Sequence, residues 1–187
     1  AGAGIRAAMA PTEVPDELQR LATTIGEALG ERRVATAESC TAGAVAQALA
    51  TGDGASDWLL GGVVSYHRDV KYELLGVRRG PVVNAPAADA MARGVCRVLG
   101  ADVSVAITGA AGPDGQDGAE PGTVFVAFAI GGAGGDEVHV DVEEHHFPGS
   151  PAEVCAAATK AAVEGLAARL VGPSAPARSG VGARHVG

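Results

Sequence analysis

A set of reactive side chains occupies TAESCTAGAV, the stretch that spans residues 36–45. A carboxylate, a hydroxyl, a thiol and a second hydroxyl follow one another there as Glu38, Ser39, Cys40 and Thr41. The flanking pattern is typical of a buried strand that runs into a helix. The first amides of such a helix have no partner within it, so they could hold an oxyanion beside an exposed serine. Acyl transfer at Ser39 is one hypothesis, and an N-cap role for Ser39 or Thr41 is the other.

The neighbours of Ser39 leave further alternatives. Cys40 could be the nucleophile instead, although buried small thiols are commonly inert. Glu38 could interact with the helix dipole or orient the turn. The sequence favours Ser39 without excluding the thiol.

The segment SYHRDVK offers candidates for a general base. A lysine in a partly closed pocket loses proton affinity, so Lys71 could activate a serine. The hydroxyl of Tyr66 could hold or relay that proton. His67 is the rival base, but no buried acid stands where it would complete a Ser-His-acid set. An ordinary surface lysine is the alternative for Lys71.

A run of small residues, ITGAAGPDGQDG, follows a third apolar segment. Consecutive small residues after a strand can form a concavity of N–H groups for phosphate or carboxylate. The run has neither the lysine of a P-loop nor the glycine spacing of a dinucleotide fingerprint. A plain flexible loop is the alternative.

Four possible metal ligands alternate along EVHVDVEEHH, namely His139, Asp141, Glu143 and His145. Alternation places them on one face of a strand, but each step of two residues moves them roughly 7 Å apart. A solvated strand face explains this pattern better than a metal site. The sequence therefore predicts neither a metal nor another cofactor.

Hydrophobic periodicity predicts the elements that must position these residues. Helices are predicted over 15–29, 41–50, 84–99 and 151–170, with a short helical turn over 69–77. Strands are predicted over 33–37, 58–66, 101–108, 123–130 and 137–147. Crossover connections imply parallel strands in the first half, and a glycine-rich turn implies a hairpin in the second. The predicted fold is α/β, a three-layer α/β/α sandwich with a mixed, mostly parallel five-stranded sheet. Ligands of such sheets usually lie at the carboxyl ends of the parallel strands, where the candidate residues fall.

Bulk composition excludes several classes of protein. A chain of 187 residues with 47% hydrophobic residues and a net charge of −8 suits one soluble domain. This acidity, with only 3% aromatic residues, argues against a nucleic-acid binder. No apolar run is long enough for a membrane, no secretory signal is visible, and three widely spaced cysteines predict a reducing cytoplasm. The expected organisation is a flexible tail over 1–12, one domain over 13–171 and a disordered tail over 172–187.

The motifs together resemble a known family. TAESCTAG, GGVVSYHRDVKYELLGV, GADVSVAITGAAGPDG, PGTV and HHFPG, in this order and spacing, are similar to the CinA C-terminal domain family. The resemblance extends from Leu18 to Leu170 and implies a stand-alone form of the domain. It also implies the activity of nicotinamide-nucleotide amidohydrolase, which converts nicotinamide mononucleotide to nicotinate mononucleotide and ammonia.

The resemblance implies roles for individual residues. Ser39 is expected to be the nucleophile, assisted by Tyr66 and Lys71. The expected substrate-binding residues are Glu38, Cys40, Thr41, Gly43, Thr108, Gly109, Ala110 and Gly112. The implied partners are a pyridine mononucleotide and further copies of the chain, with no cofactor, nucleic acid or membrane. A catalytically weak relative that binds a nucleotide or a protein is the alternative.

Two departures from the family pattern stand out. Ala42 occupies a position where the family has glycine. In FPGSPAEVC, Ser150 and Pro151 replace an aspartate and an arginine of the family, and Cys155 stands at a later arginine position.

Overall fold

The computed structural model describes residues 13–131 and 138–172. The helices are α1 Asp16–Leu29, α2 Ala44–Leu49, α3 Ala55–Trp58, α4 Arg68–Glu73, α5 Ala85–Leu99 and α6 Pro151–Val171. The strands are β1 Val34–Glu38, β2 Leu59–Val64, β3 Val103–Gly109, β4 Thr123–Ile130 and β5 His139–His146. Of the two expected tails, only position 172 lies within the described residues. Most of the expected turn between β4 and β5 also lies outside them.

The five strands form one mixed sheet with the order β2-β1-β3-β4-β5. Strand β1 pairs in parallel with β2 and β3, whereas β4 pairs antiparallel with β3 and β5. Four strands therefore run in the same direction, and only β4 runs against them. Helices α1, α2 and α6 pack together on one face, and α5 covers the other. The predicted three-layer sandwich is confirmed.

The central strands β1 and β3 are buried along their whole length. Because both of their faces lie against helices, these strands are rich in small and apolar residues and show little alternation. On the α5 face the layers approach closely at Gly94, where an added Cβ would lie 2.1 Å from the carbonyl oxygen of Leu75. This glycine lets α5 contact the chain just after α4, the helix that carries Lys71.

Two differences from the predicted elements concern the first crossover. The predicted helix over 41–50 begins only at Ala44, because Ala42 and Gly43 adopt positive φ angles of 50° and 104°. The single-turn helix α3 was not predicted, since four residues are too few to show a periodicity. In the described ranges, no helix combines the length and the apolar character needed to cross a membrane.

Candidate active site

The ends of three parallel strands meet at one edge of the sheet. The amide of Ser39, directly after β1, donates to the carbonyl of Ile107 on β3 at 3.1 Å. The amide of Ser65, directly after β2, donates to the carbonyl of Glu38 on β1 at 2.7 Å. These main-chain bonds extend the sheet by one residue and fix Ser39 between its two neighbouring strands.

The serine lies in contact with the lysine. Nζ of Lys71 lies 3.0 Å from Oγ of Ser39, although 32 residues separate them in the chain. Lys71 is 1% exposed, and its amine also contacts the carbonyl oxygens of Ser65 at 2.5 Å and Tyr66 at 3.4 Å. The amine is thus surrounded by three oxygen atoms.

Burial is the main reason why the pKa of Lys71 falls from its ordinary value to about 8. Cys40 and Asp117 act in the opposite direction, whereas the nearby guanidinium of Arg68 lowers the pKa further. A neutral amine has two N–H groups and one lone pair. The two carbonyls can accept the N–H groups, which leaves the lone pair for the hydroxyl proton of Ser39. The geometry therefore suits a lysine that acts as a base.

The side chain of Glu38 is hydrogen-bonded to the turn between β1 and α2. Its carboxylate is 1% exposed and accepts five hydrogen bonds of 2.7 to 3.1 Å. The donors are the hydroxyls of Thr36 and Thr41 and the amides of Gly43, Val45 and Ala46. Glu38 thus satisfies amides at the start of α2 with its own side chain. The contacts fit both roles considered from the sequence, because the same carboxylate binds the first amides of α2 and fixes the turn that precedes them.

Replacement of this carboxylate is expected to loosen the turn. Glu38→Gln keeps the shape, but its NH₂ group cannot accept hydrogen bonds, so buried donors lose their acceptor. We expect a loss of about 2–4 kcal/mol in the free energy of unfolding, because each unsatisfied buried donor costs roughly 1–3 kcal/mol. Urea denaturation measures the loss. The exposed Glu27→Gln is the matched control, and an equal effect of both variants would contradict this role of Glu38.

Two amides of the turn remain available for a ligand. The amide of Ser39 is occupied by Ile107. Within the described residues, the amide of Thr41 has no acceptor, and that of Cys40 faces its own sulfur. Cys40 and Thr41 follow Ser39 directly in the chain, which makes their amides the candidate donors to an oxyanion.

The Cys40 thiol is a poor nucleophile. Burial raises its pKa to about 12, so the reactive thiolate is scarce at neutral pH. Cys40 packs against the hydrophobic core below the turn. Cys155, at the position where the resemblance implied arginine, places its sulfur 3.8 Å from the carbonyl oxygen of Thr41. The α6 side of the turn is therefore lined by a neutral thiol.

Tyr66 and His67 are both exposed, just before α4. Tyr66 is 72% exposed, and its contact with Lys71 is made by the main-chain carbonyl. No hydrogen bond joins its hydroxyl to a described residue, so proton relay by that hydroxyl has no support in the geometry. The imidazole of His67 is mostly exposed and accepts a hydrogen bond from the amide of Asp69 at 3.3 Å. His67 is thus the N-cap of α4.

Of the four predicted substrate-binding residues at the end of β3 and after it, three are engaged in hydrogen bonds or packing, and one is exposed. Thr108 is buried, and its hydroxyl donates to the carbonyl of Val82 at 2.7 Å. The main chain of Ala110 pairs with Thr123 and Gly122, and Gly109 is packed against β4. Gly112 is exposed at the mouth of the loop. Contact of these residues with a substrate stays a prediction, and the Thr108 hydroxyl is already engaged.

The possible metal ligands on β5 pair with one another. His139 lies 3.0 Å from Asp141, and His145 lies 3.1 Å from Glu143. The carboxylate of Glu143 also accepts a hydrogen bond from Arg169 at 2.8 Å. Within the described ranges, no group of three or more such residues is arranged to hold a metal ion.

Ala42 carries strain at the turn. Its φ of 50° is in the left-handed region, which costs a residue with a Cβ roughly 1–2 kcal/mol. Because the side chain is exposed, Ala42→Gly should raise the free energy of unfolding by about 1 kcal/mol. The control is Ala50→Gly at the C-cap of α2; Ala50 is exposed with an ordinary φ of −66°, so this variant should not gain stability. Thermal unfolding separates the two, and destabilisation by both would show that Ala42 is unstrained.

Sequence reasoning missed three residues that support the site. Ser65 supplies a carbonyl to Lys71, and Thr36 supplies a hydroxyl to Glu38. Asp117 interacts electrostatically with Lys71 from the loop after β3. The signal for Ser65 was its place directly after β2, and that for Thr36 was its place two residues before Glu38 in β1. Nothing in the sequence distinguished Asp117 from other loop aspartates.

The fold and the site define an α/β sandwich with a buried serine–lysine pair at a strand-to-helix turn. Residues 18–170 match the family model described as CinA C-terminal domain, and the chain belongs to this family. A CinA-like protein of Mycolicibacterium vanbaalenii is 42% identical over 154 residues, which cover 79% of this chain and 35% of that protein. A putative competence-damage inducible protein of Bacillus subtilis is 41% identical and aligns with 63% of this chain and 28% of its own length. The chain spans about a third of the length of such curated relatives.

Solved structures of the family have the same architecture. A CinA superfamily protein from Enterobacter cloacae superposes with a TM-score of 0.75 at 30% identity, covering 82% of this chain and 92% of that one. The competence/damage inducible protein CihA from Agrobacterium tumefaciens gives a TM-score of 0.74 at 31% identity, with 84% and 98% covered. The fold of the described residues is therefore that of the family.

Proposed function

We propose that this chain is an amidohydrolase that converts nicotinamide mononucleotide to nicotinate mononucleotide and ammonia. The observation that carries the proposal is the buried amine of Lys71, 3.0 Å from the hydroxyl of Ser39. A structural lysine would be expected to pair with a carboxylate, whereas this amine faces carbonyls and a hydroxyl. Such an environment lowers the pKa and so favours the neutral, basic form.

The first half of the reaction forms an acyl-enzyme. Neutral Lys71 takes the proton of Ser39 while Oγ bonds to the carboxamide carbon of the substrate. The amides of Cys40 and Thr41 stabilise the negative charge on the carboxamide oxygen. The tetrahedral intermediate then releases the amide nitrogen, which takes the proton from Lys71 and leaves as ammonia.

The second half releases the acid. Water attacks the ester carbon, and the neutral amine of Lys71 takes its proton. The intermediate breaks its bond to Oγ, and the proton on Lys71 returns to Ser39. One water molecule is consumed, and one carboxylic acid and one ammonia are produced for each substrate molecule.

Ammonia release from nicotinamide mononucleotide by the purified chain tests this function. The nicotinate mononucleotide product should appear in equal amount by chromatography. Nicotinamide riboside, which lacks the phosphate, serves as a second substrate and shows whether the nucleotide phosphate contributes to binding. Absence of ammonia and of nicotinate mononucleotide at enzyme concentrations in the micromolar range would contradict the proposed reaction.

The second candidate is a binding domain without turnover. Large apolar side chains are exposed beside the site, and four of the six in the described residues lie between positions 64 and 74, namely Val64, Tyr66, Val70 and Leu74. Such a group favours contact with a protein, including another copy of this chain. Calorimetry that detects nucleotide binding without ammonia release, together with self-association in sedimentation, would favour this candidate.

A further inference from the structure

Asp117 lies in the loop that joins β3 to β4 and turns its carboxylate inward. Its side chain is 12% exposed, and its φ of 54° is uncommon for a residue other than glycine. Oδ2 accepts a hydrogen bond from the amide of Val82 at 2.7 Å. Oδ1 accepts one from Nη2 of Arg68 at 3.4 Å. The two oxygens thus hold two segments that are distant in the chain.

Both of these segments are parts of the candidate site. Arg68 is the first residue of α4, one turn before Lys71. Val82 precedes α5, and its carbonyl accepts the hydroxyl of Thr108 at the end of β3. A single carboxylate therefore joins the β3–β4 loop, the start of the lysine helix and the chain that lies over β3.

We propose that Arg68 and Asp117 form a latch that holds the β3–β4 loop against helix α4 and thereby positions Lys71 for Ser39. The inference rests on the proposed serine–lysine chemistry, but not on which amide is the substrate. Asp117 is a positioning residue, because its contacts are with Arg68 and Val82 and not with the reacting atoms.

The latch places two opposite charges near the same amine. Three side chains that interact electrostatically with Lys71 are Arg68 on its own helix, Asp117 on the loop and the thiol of Cys40 on the turn after β1. The carbonyls of Ser65 and Tyr66 complete its surroundings. The carboxylate favours the protonated amine and the guanidinium disfavours it. Removing one or the other charge must therefore change the proton affinity of Lys71 in opposite directions.

Two charge-removing variants and one control test this arrangement. Asp117→Asn keeps an acceptor for Val82 and tolerates the left-handed backbone, but it loses the charge. Arg68→Gln removes the cation. The control is Glu73→Gln, which removes an exposed carboxylate at the end of α4 that pairs with Arg79 in the following loop. The readout is the rate at which a fluorophosphonate probe labels Ser39 as a function of pH; Oγ bonds to phosphorus, fluoride leaves, and Lys71 takes the proton.

We expect the midpoint of this pH profile to lie near pH 8 in the unmodified chain, since that is the pKa of Lys71. Asp117→Asn should move the midpoint to lower pH and Arg68→Gln to higher pH, each by on the order of half a unit. Glu73→Gln should leave it in place. Shifts in the same direction, no shift, or an equal shift in the control would overturn the latch.

Hydrogen exchange provides a readout that does not depend on activity. Asp117→Gly removes the carboxylate without backbone strain, so the Val82 amide should exchange at least ~10-fold faster. Asp117→Asn should keep most of the protection, because its amide oxygen still accepts from Val82. Arg68→Gln releases Asp117 from α4 and should also speed the exchange of Val82, so unchanged exchange in Arg68→Gln would overturn the latch. A chain that labels at Ser39 but releases no ammonia would contradict the proposed substrate alone. If Ser39 is not labelled, the proposed chemistry fails and the exchange result decides whether the loop is latched.

Discussion

Ser39→Ala is expected to reduce ammonia release by at least ~10³-fold, because the covalent nucleophile is lost. Ser39 follows β1 and lies 3.0 Å from Lys71. Serine and alanine differ by a single hydroxyl group, so we expect the variant to keep the fold. The measurement is kcat for nicotinamide mononucleotide, with circular dichroism to verify the fold.

The matched control is the neighbouring Cys40→Ser. Its thiol is held in the protonated form by burial, with a pKa of about 12, so its removal should leave substantial activity. The opposite pattern, an active Ser39→Ala and an inactive Cys40→Ser, would make this a thiol enzyme. In that case Lys71 would have to activate sulfur instead of oxygen.

Lys71→Arg is expected to be almost as inactive as Lys71→Met. Arginine keeps the positive charge, but its guanidinium does not lose a proton in the pH range of the assay. Methionine has a similar volume and suits the buried position. If Lys71 is the base, both variants should lower kcat by roughly 10²–10⁴-fold, the usual contribution of a positioned base.

The pH dependence has a fixed sign. Only the neutral amine is a base, so kcat/KM should rise with pH through a midpoint near 8 and level off above it. Below that midpoint each unit of pH should change the rate about tenfold, because the neutral fraction changes by that factor. An active Lys71→Arg variant would mean that Lys71 acts through its positive charge and not as a proton acceptor. The base would then have to be another group, and His67 would be the next residue to replace.

The sequence predicted the serine–lysine pair better than the groups that support it. Ser39 and Lys71 could be found because both follow parallel strands, whose carboxyl ends meet in any sheet of this topology. The direction of a side chain at the end of a strand cannot be found in this way. The predicted tyrosine relay therefore has no counterpart in the structure, since Tyr66 contacts Lys71 only with its carbonyl.

Long-range supporting contacts were beyond sequence reasoning for another reason. Glu38 is five residues from Gly43 and eight from Ala46, so a local role in the turn could be considered. Asp117 reaches Arg68 across 49 residues and Val82 across 35. No local pattern encodes such pairs, because they depend on how the β3–β4 loop folds over the sheet edge.

The buried amine of Lys71 is also a liability for the fold. Its pKa falls from about 10.5 in an open chain to about 8 in the folded domain, so unfolding binds a proton between these values. The cost to folding is full below pH 8, at about 3 kcal/mol, falls as the pH rises from 8 to 10.5, and is absent above that range. A search for heat-resistant variants that ignored turnover would therefore favour methionine at this position. The buried amine that is proposed to act as the base is therefore the group that selection for stability alone would remove.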